Sequence, residues 1–155
     1  MIAVGVADEG IAHRVAQHAR RPTGGAAPSQ DAVIFGEAIP HFEKAIQLSP
    51  YDPQRWAFYS YRALAHLLAG EFDRAEEWAQ KASRIPNCHY WPLAHRVSAL
   101  GHLQRAAELP SAIAELLLRK PEFSCSFARE RLFYVKNPEH LERYVQGLRS
   151  AGIKE

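Results

Sequence analysis

From residue 31 onward the apolar residues return every three or four positions, and strand-type alternation never lasts more than a few residues. This pattern restricts the chain more than any other feature. A period near 3.6 lets a segment bury one apolar stripe only as a helix, so the stripes must be satisfied helix against helix. An all-α fold is expected. Over 37–48, Ala38, Phe42, Ala45 and Ile46 share a face, and Ser49-Pro50 closes the segment. Over 54–69 the stripe is Trp56, Tyr59, Ala63, His66 and Leu67, ended by Gly70. Phe72, Ala75, Ala79 and Ala82 mark a helix over 72–85 that stops at Pro86. Leu93, Val97, Leu100 and Leu103 mark another over 91–105. Pro110 opens its partner over 110–119, a position where a missing N–H costs nothing. Asn137 as cap, Pro138 at the first position, the stripe Leu141, Tyr144, Val145 and Leu148, and Gly152 at the end define the last helix.

A chain of 155 residues is about one domain long. Three parts are expected within it. Residues 1–30 form an N-terminal segment, with Ile11, Val15 and Ala19 at helical spacing over 8–20 and a flexible linker, RPTGGAAPSQ, over 21–30. Residues 31–121 carry the paired helices, and 122–155 a closing segment and helix. The apolar run over 2–7 ends at Asp8 and Glu9 with no positive region before it, so it does not read as a secretory leader. No stretch approaches the ~18 uninterrupted apolar residues of a membrane span. The net charge of +2, with nineteen Lys and Arg spread among seventeen acids, supplies no concentrated basic face for nucleic acid. Cys88 and Cys125 are far apart and neither sits in a CxxC pair, which favours a reducing cytoplasm over a disulfide framework.

Paired helices of this length invite a search for a fixed period. In AHLLAGEFDRAEEWAQKASRIP (65–86), Gly70 sits in the inter-helix turn, Phe72 follows, then Ala75, Ala82 and a closing Pro86. This segment resembles the tetratricopeptide repeat, in which small residues stand where two helices touch. AIPHFEKAIQLSP (38–50) is similar to the second helix of such a repeat, through Ala38, Phe42, Ala45 and Pro50. One period of about 34 residues further on, Gly70 maps to Gln104, Ala75 to Leu109 and Ala82 to Leu116, while Pro121 falls one residue late. SPYDPQRWAFYSYRALAHLLAGEFDRAEEWA (49–79) and FARERLFYVKNPEHLERYVQGLRSAG (127–152) look like the carboxy-terminal tail of certain bacterial adenylate or guanylate cyclases. The resemblance implies a short right-handed solenoid of helical hairpins, about two and a half repeats, with a C-terminal capping helix. It also implies a regulatory or scaffolding role, with a cyclase or other signalling protein as partner. A detached tail of such an enzyme is the alternative reading. Asp8 and Asp31 are the only aspartates before the first repeat, too few and too isolated for cyclase chemistry, so no enzyme activity is expected.

The candidate site is a groove. In this repeat family the first helix of each pair lines a concave surface. The resemblance places Ala57, Ser60, Leu64 and Leu67 there from one repeat, and Trp91, Ala94, Ser98 and His102 from the next. This lining is small, apolar and nearly uncharged. It lacks the Lys, Asn and Arg with which some family members clamp a chaperone's terminal carboxylate, so an apolar peptide or helix is the expected ligand, with Trp91 as an anchor. Ile39, Phe42 and Ile46 lack a first helix to cover them, which makes self-association an expectation as well.

Other constellations point to no chemistry. Among the eight histidines, His95 and His102 share a helix face about two turns apart, roughly 10 Å, too far for one zinc ion. No metal or other cofactor is expected. Cys88 beside His89 reads as a structural thiol, and Cys125 as a buried small hydrophobe. Glu71, Asp73, Glu76 and Glu77, near Arg74 and Lys81, read as a solvated charged face with i,i+4 pairs. Arg129, Arg131 and Lys136 interleave with Leu132, Phe133 and Tyr134, a mix expected to dock the last helix.

Overall fold

The computed structural model describes residues 40–155 apart from Phe42 and Ala45. The helix expected over 8–20, the linker over 21–30, and Ala38, Ile39, Phe42 and Ala45 lie outside the described residues. Within them every regular element is a helix: α1 Arg55–Leu68, α2 Phe72–Ser83, α3 Trp91–Leu103, α4 Leu109–Arg119, α5 Cys125–Arg131 and α6 Pro138–Ala151. Helical residues also precede α1 at 40–41, 43–44 and 46–48, where Ile46 is half-buried. Glu43 of that stretch pairs with Arg62 at 2.6 Å, and the Arg62 guanidinium lies 3.8 Å over the Trp78 ring.

Several of the helix ends have visible causes. The Asn137 side chain accepts from the Glu139 N–H at 2.8 Å, with Pro138 in the first turn, and Gly152 ends α6 at φ 94°. Gly70 turns the chain between α1 and α2 at φ 84°. Gln104 ends α3 in the same left-handed region at φ 54°. A side chain there costs on the order of 1 kcal/mol. Gln104→Gly should therefore raise stability by ~0.5–1 kcal/mol, read as a higher urea midpoint at unchanged slope.

Helix α5 falls where only an aromatic-basic segment was foreseen. Its cap is Ser124, whose hydroxyl accepts from the Phe127 N–H at 3.1 Å.

Each hairpin packs on the next: α1 against α2, α2 against α3, α3 against α4, and α1 also against α3. The principal core joins Leu64, Leu67 and Leu68 of α1 to Val97 and Leu100 of α3, Leu116 of α4 and Leu148 of α6. Ala82 of α2 and Leu116 of α4 are both fully buried. A second cluster gathers Trp56, Ala57, Tyr61, Ile85 and Cys88. A charged lattice ties α2 to α3. Arg96 meets Glu76 at 3.1 Å, and Arg105 meets Asp73 at 2.8 Å. Glu76 thus departs from the expected solvated face, because it is buried beneath Arg96. Glu77 keeps to that face, pairing with Lys81 at 2.7 Å.

The last helix lies along α3, with lesser contacts to α1 and α5. The apolar stripe Tyr144, Val145 and Leu148 finds its largest complementary surface there, and all three are fully buried.

Candidate functional site

The face of α3 turned toward α6 is built from small and polar residues at helical spacing: Ser98 and Gly101, flanked by His95 and His102. Small residues let two helix backbones approach until side-chain atoms can reach main-chain groups across the crossing. Three hydrogen bonds do so or lie beside it. Ser98 Oγ donates to the Tyr144 carbonyl at 2.7 Å. His102 Nε2–H donates to the Arg143 carbonyl at 2.6 Å, with its ring stacked on Phe72 at 4.0 Å. The Tyr144 hydroxyl and His95 Nδ1 share a hydrogen bond of 2.8 Å. Arg143 donates to the Leu68 carbonyl in the last turn of α1, where the helix dipole favours a cation.

The backbones meet at two glycines. A Cβ added to Gly101 would overlap the Gly147 carbonyl oxygen, and one added to Gly147 would overlap the Ser98 carbonyl and hydroxyl oxygens. Both neighbours at the contact include main chain, which cannot step aside as a flexible side-chain end can.

Burial sets the electrostatics of this interface. Removal from water lowers the His95 pKa to about 3, with the nearby His89 adding to the effect, and raises Tyr144 well above the phenol range. Both groups are neutral, so the pair holds α6 by a neutral hydrogen bond.

The eight residues expected to line an open groove are not open. Leu64, Leu67, Trp91 and Ala94 belong to the principal core, and Ala57 to the second cluster. Ser60 and Ser98 are buried, and His102 is half-buried. Ser98 and His102 are covered by α6, Ala57 by the cluster with Ile85 and Cys88, and Leu64, Leu67, Trp91 and Ala94 by the packing of the principal core. Ser98 and His102 meet on α6, as a helix-binding lining would. His95, Gly101, Arg143, Tyr144 and Gly147 complete the seat, and none of them was expected in the groove. A signal for them existed, since a glycine inside an amphipathic helix costs ~1 kcal/mol and needs a packing reason.

Elsewhere, the Cys88 thiol donates to the Ser83 carbonyl at 3.5 Å, and Arg119 donates to the Cys88 carbonyl at 2.8 Å. Cys125 is fully buried, and that burial pushes its thiol up. Among the described residues no three His, Cys, Asp or Glu side chains gather as metal ligands, and no helix is long and apolar enough to cross a membrane. Arg129 turns to Glu142 at 2.7 Å, and Leu132 is fully buried while Phe133 stays exposed. No protein-family model matches the chain, and no curated protein or solved structure matches it.

Proposed function

We propose that this chain is a non-catalytic protein-interaction module of tetratricopeptide type whose α1/α3 face recognises an α-helix. One observation carries the reading: that face holds a helix through donors aimed at its main chain. Ser98 and His102 bond to carbonyl oxygens, groups that every helix presents at the same pitch, so the contact recognises helical backbone before it recognises side chains. The repeat period supports the assignment to this type, through the left-handed pair Gly70 and Gln104 and the buried pair Ala82 and Leu116. The resemblance to cyclase tails makes a cyclase or another signalling domain the first partner to test.

The test is position-dependent photo-cross-linking in the producing cell. A photoreactive residue is placed at Gln104 or Phe133, both exposed and close in sequence to the seat, and at Lys81 on the exposed side of α2. The module reading expects one discrete protein adduct from the first two positions and none from Lys81. Equal adducts from all three, or none from any, would count against it.

A further inference from the structure

We infer that the outer face of α4 is a self-association surface, on which a second copy of this chain seats its own α4 antiparallel across a two-fold axis. The inference uses a different helix from the reading above and stands apart from it.

Among the described residues α4 packs on α3, and no other helix contacts it to a similar extent. Ala112 and Leu116 join the principal core, with Ile113 and Leu117 half-buried against it. At about 100° per residue, Pro110, Ala114 and Leu118 fall on the side turned from α3, and all three are exposed. Leu118 is 84% exposed, and among the described residues no other large apolar side chain of α1–α6 is exposed. It is not a scattered leucine. Leu117, Ala114 and Leu118 run on from the buried stripe, so the apolar surface of α4 continues past its contact with α3 into solvent.

The charges beside this surface select its occupant. Glu115 and Arg119 lie on one flank, four residues apart and in the order that favours an intrahelical pair. That pair is not made. Arg119 turns to the Cys88 carbonyl at 2.8 Å, and Glu115 has no ion pair among the described residues. On α2, by contrast, Asp73, Glu76 and Glu77 are all paired. An acid and a base on the same flank of an apolar stripe are self-complementary under two-fold symmetry. An axis crossing α4 at Leu117, in the plane of contact, reverses the second helix and keeps that flank on the same side. Each Glu115 then faces the second copy's Arg119, twice in the dimer, and the two Leu118 side chains meet beside the axis. A parallel pairing would set both charges against the Ile113 edge, without partners. A foreign helix must carry this spacing by design, whereas a second copy carries it already. One helix pair covers less than a standard interface, so the dimer is weak and depends on concentration.

Sedimentation velocity of the full chain, from micromolar to millimolar concentration, should show a monomer passing reversibly into a dimer. Leu118→Glu should weaken the dimer at least tenfold with unchanged helical circular dichroism, because the side chain it replaces is exposed. Glu115→Arg and Arg119→Glu should each weaken it several-fold, since each places like charges together at both symmetric contacts. Mixing these two variants in equal amounts should restore dimers, now mixed, in which both contacts are again opposite in sign. Under mild oxidation Leu118→Cys should give a covalent dimer, and Phe133→Cys, exposed but off α4, should not; Cys88 and Cys125 are buried. A wild-type chain that stays monomeric throughout overturns the inference and leaves the helix-recognition reading untouched. Dimers that survive Leu118→Glu, charge variants that fail to recover on mixing, or equal cross-linking from both cysteine positions overturn it as well.

Discussion

Replacing Gly101 by alanine should cost 3 kcal/mol or more, roughly the upper end of what overpacking a core exacts. The added methyl has no flexible neighbour to push aside. Its nearest atoms are the carbonyl of Gly147 and the amide nitrogen of Ala151, both main chain of α6. The two helices must separate along their length, and separation lengthens the Ser98 and His102 bonds and loosens Tyr144, Val145 and Leu148 together. Alanine is itself the better helix former, worth ~1 kcal/mol in isolation, so a loss would point to the crossing alone. Gly152→Ala provides the contrast. A Cβ there meets nothing within 4 Å, and only its φ of 94° opposes the change, for a cost of about 1 kcal/mol. Thermal unfolding of the three proteins decides the matter. A Gly101→Ala melting point within a degree or two of wild type would mean that α6 does not lie on α3 as described.

The helical order of the described residues was legible because each stripe is long and its ends are marked. Gly70, Pro86, Asn137-Pro138 and Gly152 fix boundaries within two residues or so, and the segments between them carry one period. Helix α5 was missed because seven residues, Cys125–Arg131, are too few to show a stripe, and its only mark is the Ser124 cap. The groove lining was partly legible. Composition revealed that a helix could approach Ala94 and Ser98 closely, but not which helix. That choice is a long-range pairing of two glycines, Gly101 and Gly147, and no local period encodes it. Glu76 shows the same limit. Its sequence neighbours describe a charged surface, while its partner Arg96 stands 20 residues away on α3.

Acid should unfold the protein well above the pH at which exposed carboxylates titrate, and His95 should account for most of the slope. Its folded pKa is about 3, far below an unfolded value near 6.5. The unfolded chain therefore binds a proton that the native one refuses. The stability that follows from neutral His95 is complete above pH 6.5 and is lost as pH falls toward 3, at ~1.4 kcal/mol for each pH unit. Over that range the loss is on the order of 4 kcal/mol, a large share of the ~5–15 kcal/mol that holds a domain of this size. His66 adds to it in the same direction, since burial first, and then Arg62 and Arg74, lower it against the pull of Glu71. Glu77 and Glu142, lowered mainly by hydrogen bonds from Lys81 and from Arg129 and Arg149, contribute only at the acid end, where they take up protons. His95→Gln keeps a hydrogen-bonding partner for the Tyr144 hydroxyl and removes the titration. Urea unfolding of both proteins at half-unit steps from pH 7.5 to 4 should give a steep fall for wild type. The variant should start lower and descend more gently. Parallel curves would mean that His95 is not held neutral against Tyr144, and the seat of α6 would have to be redrawn.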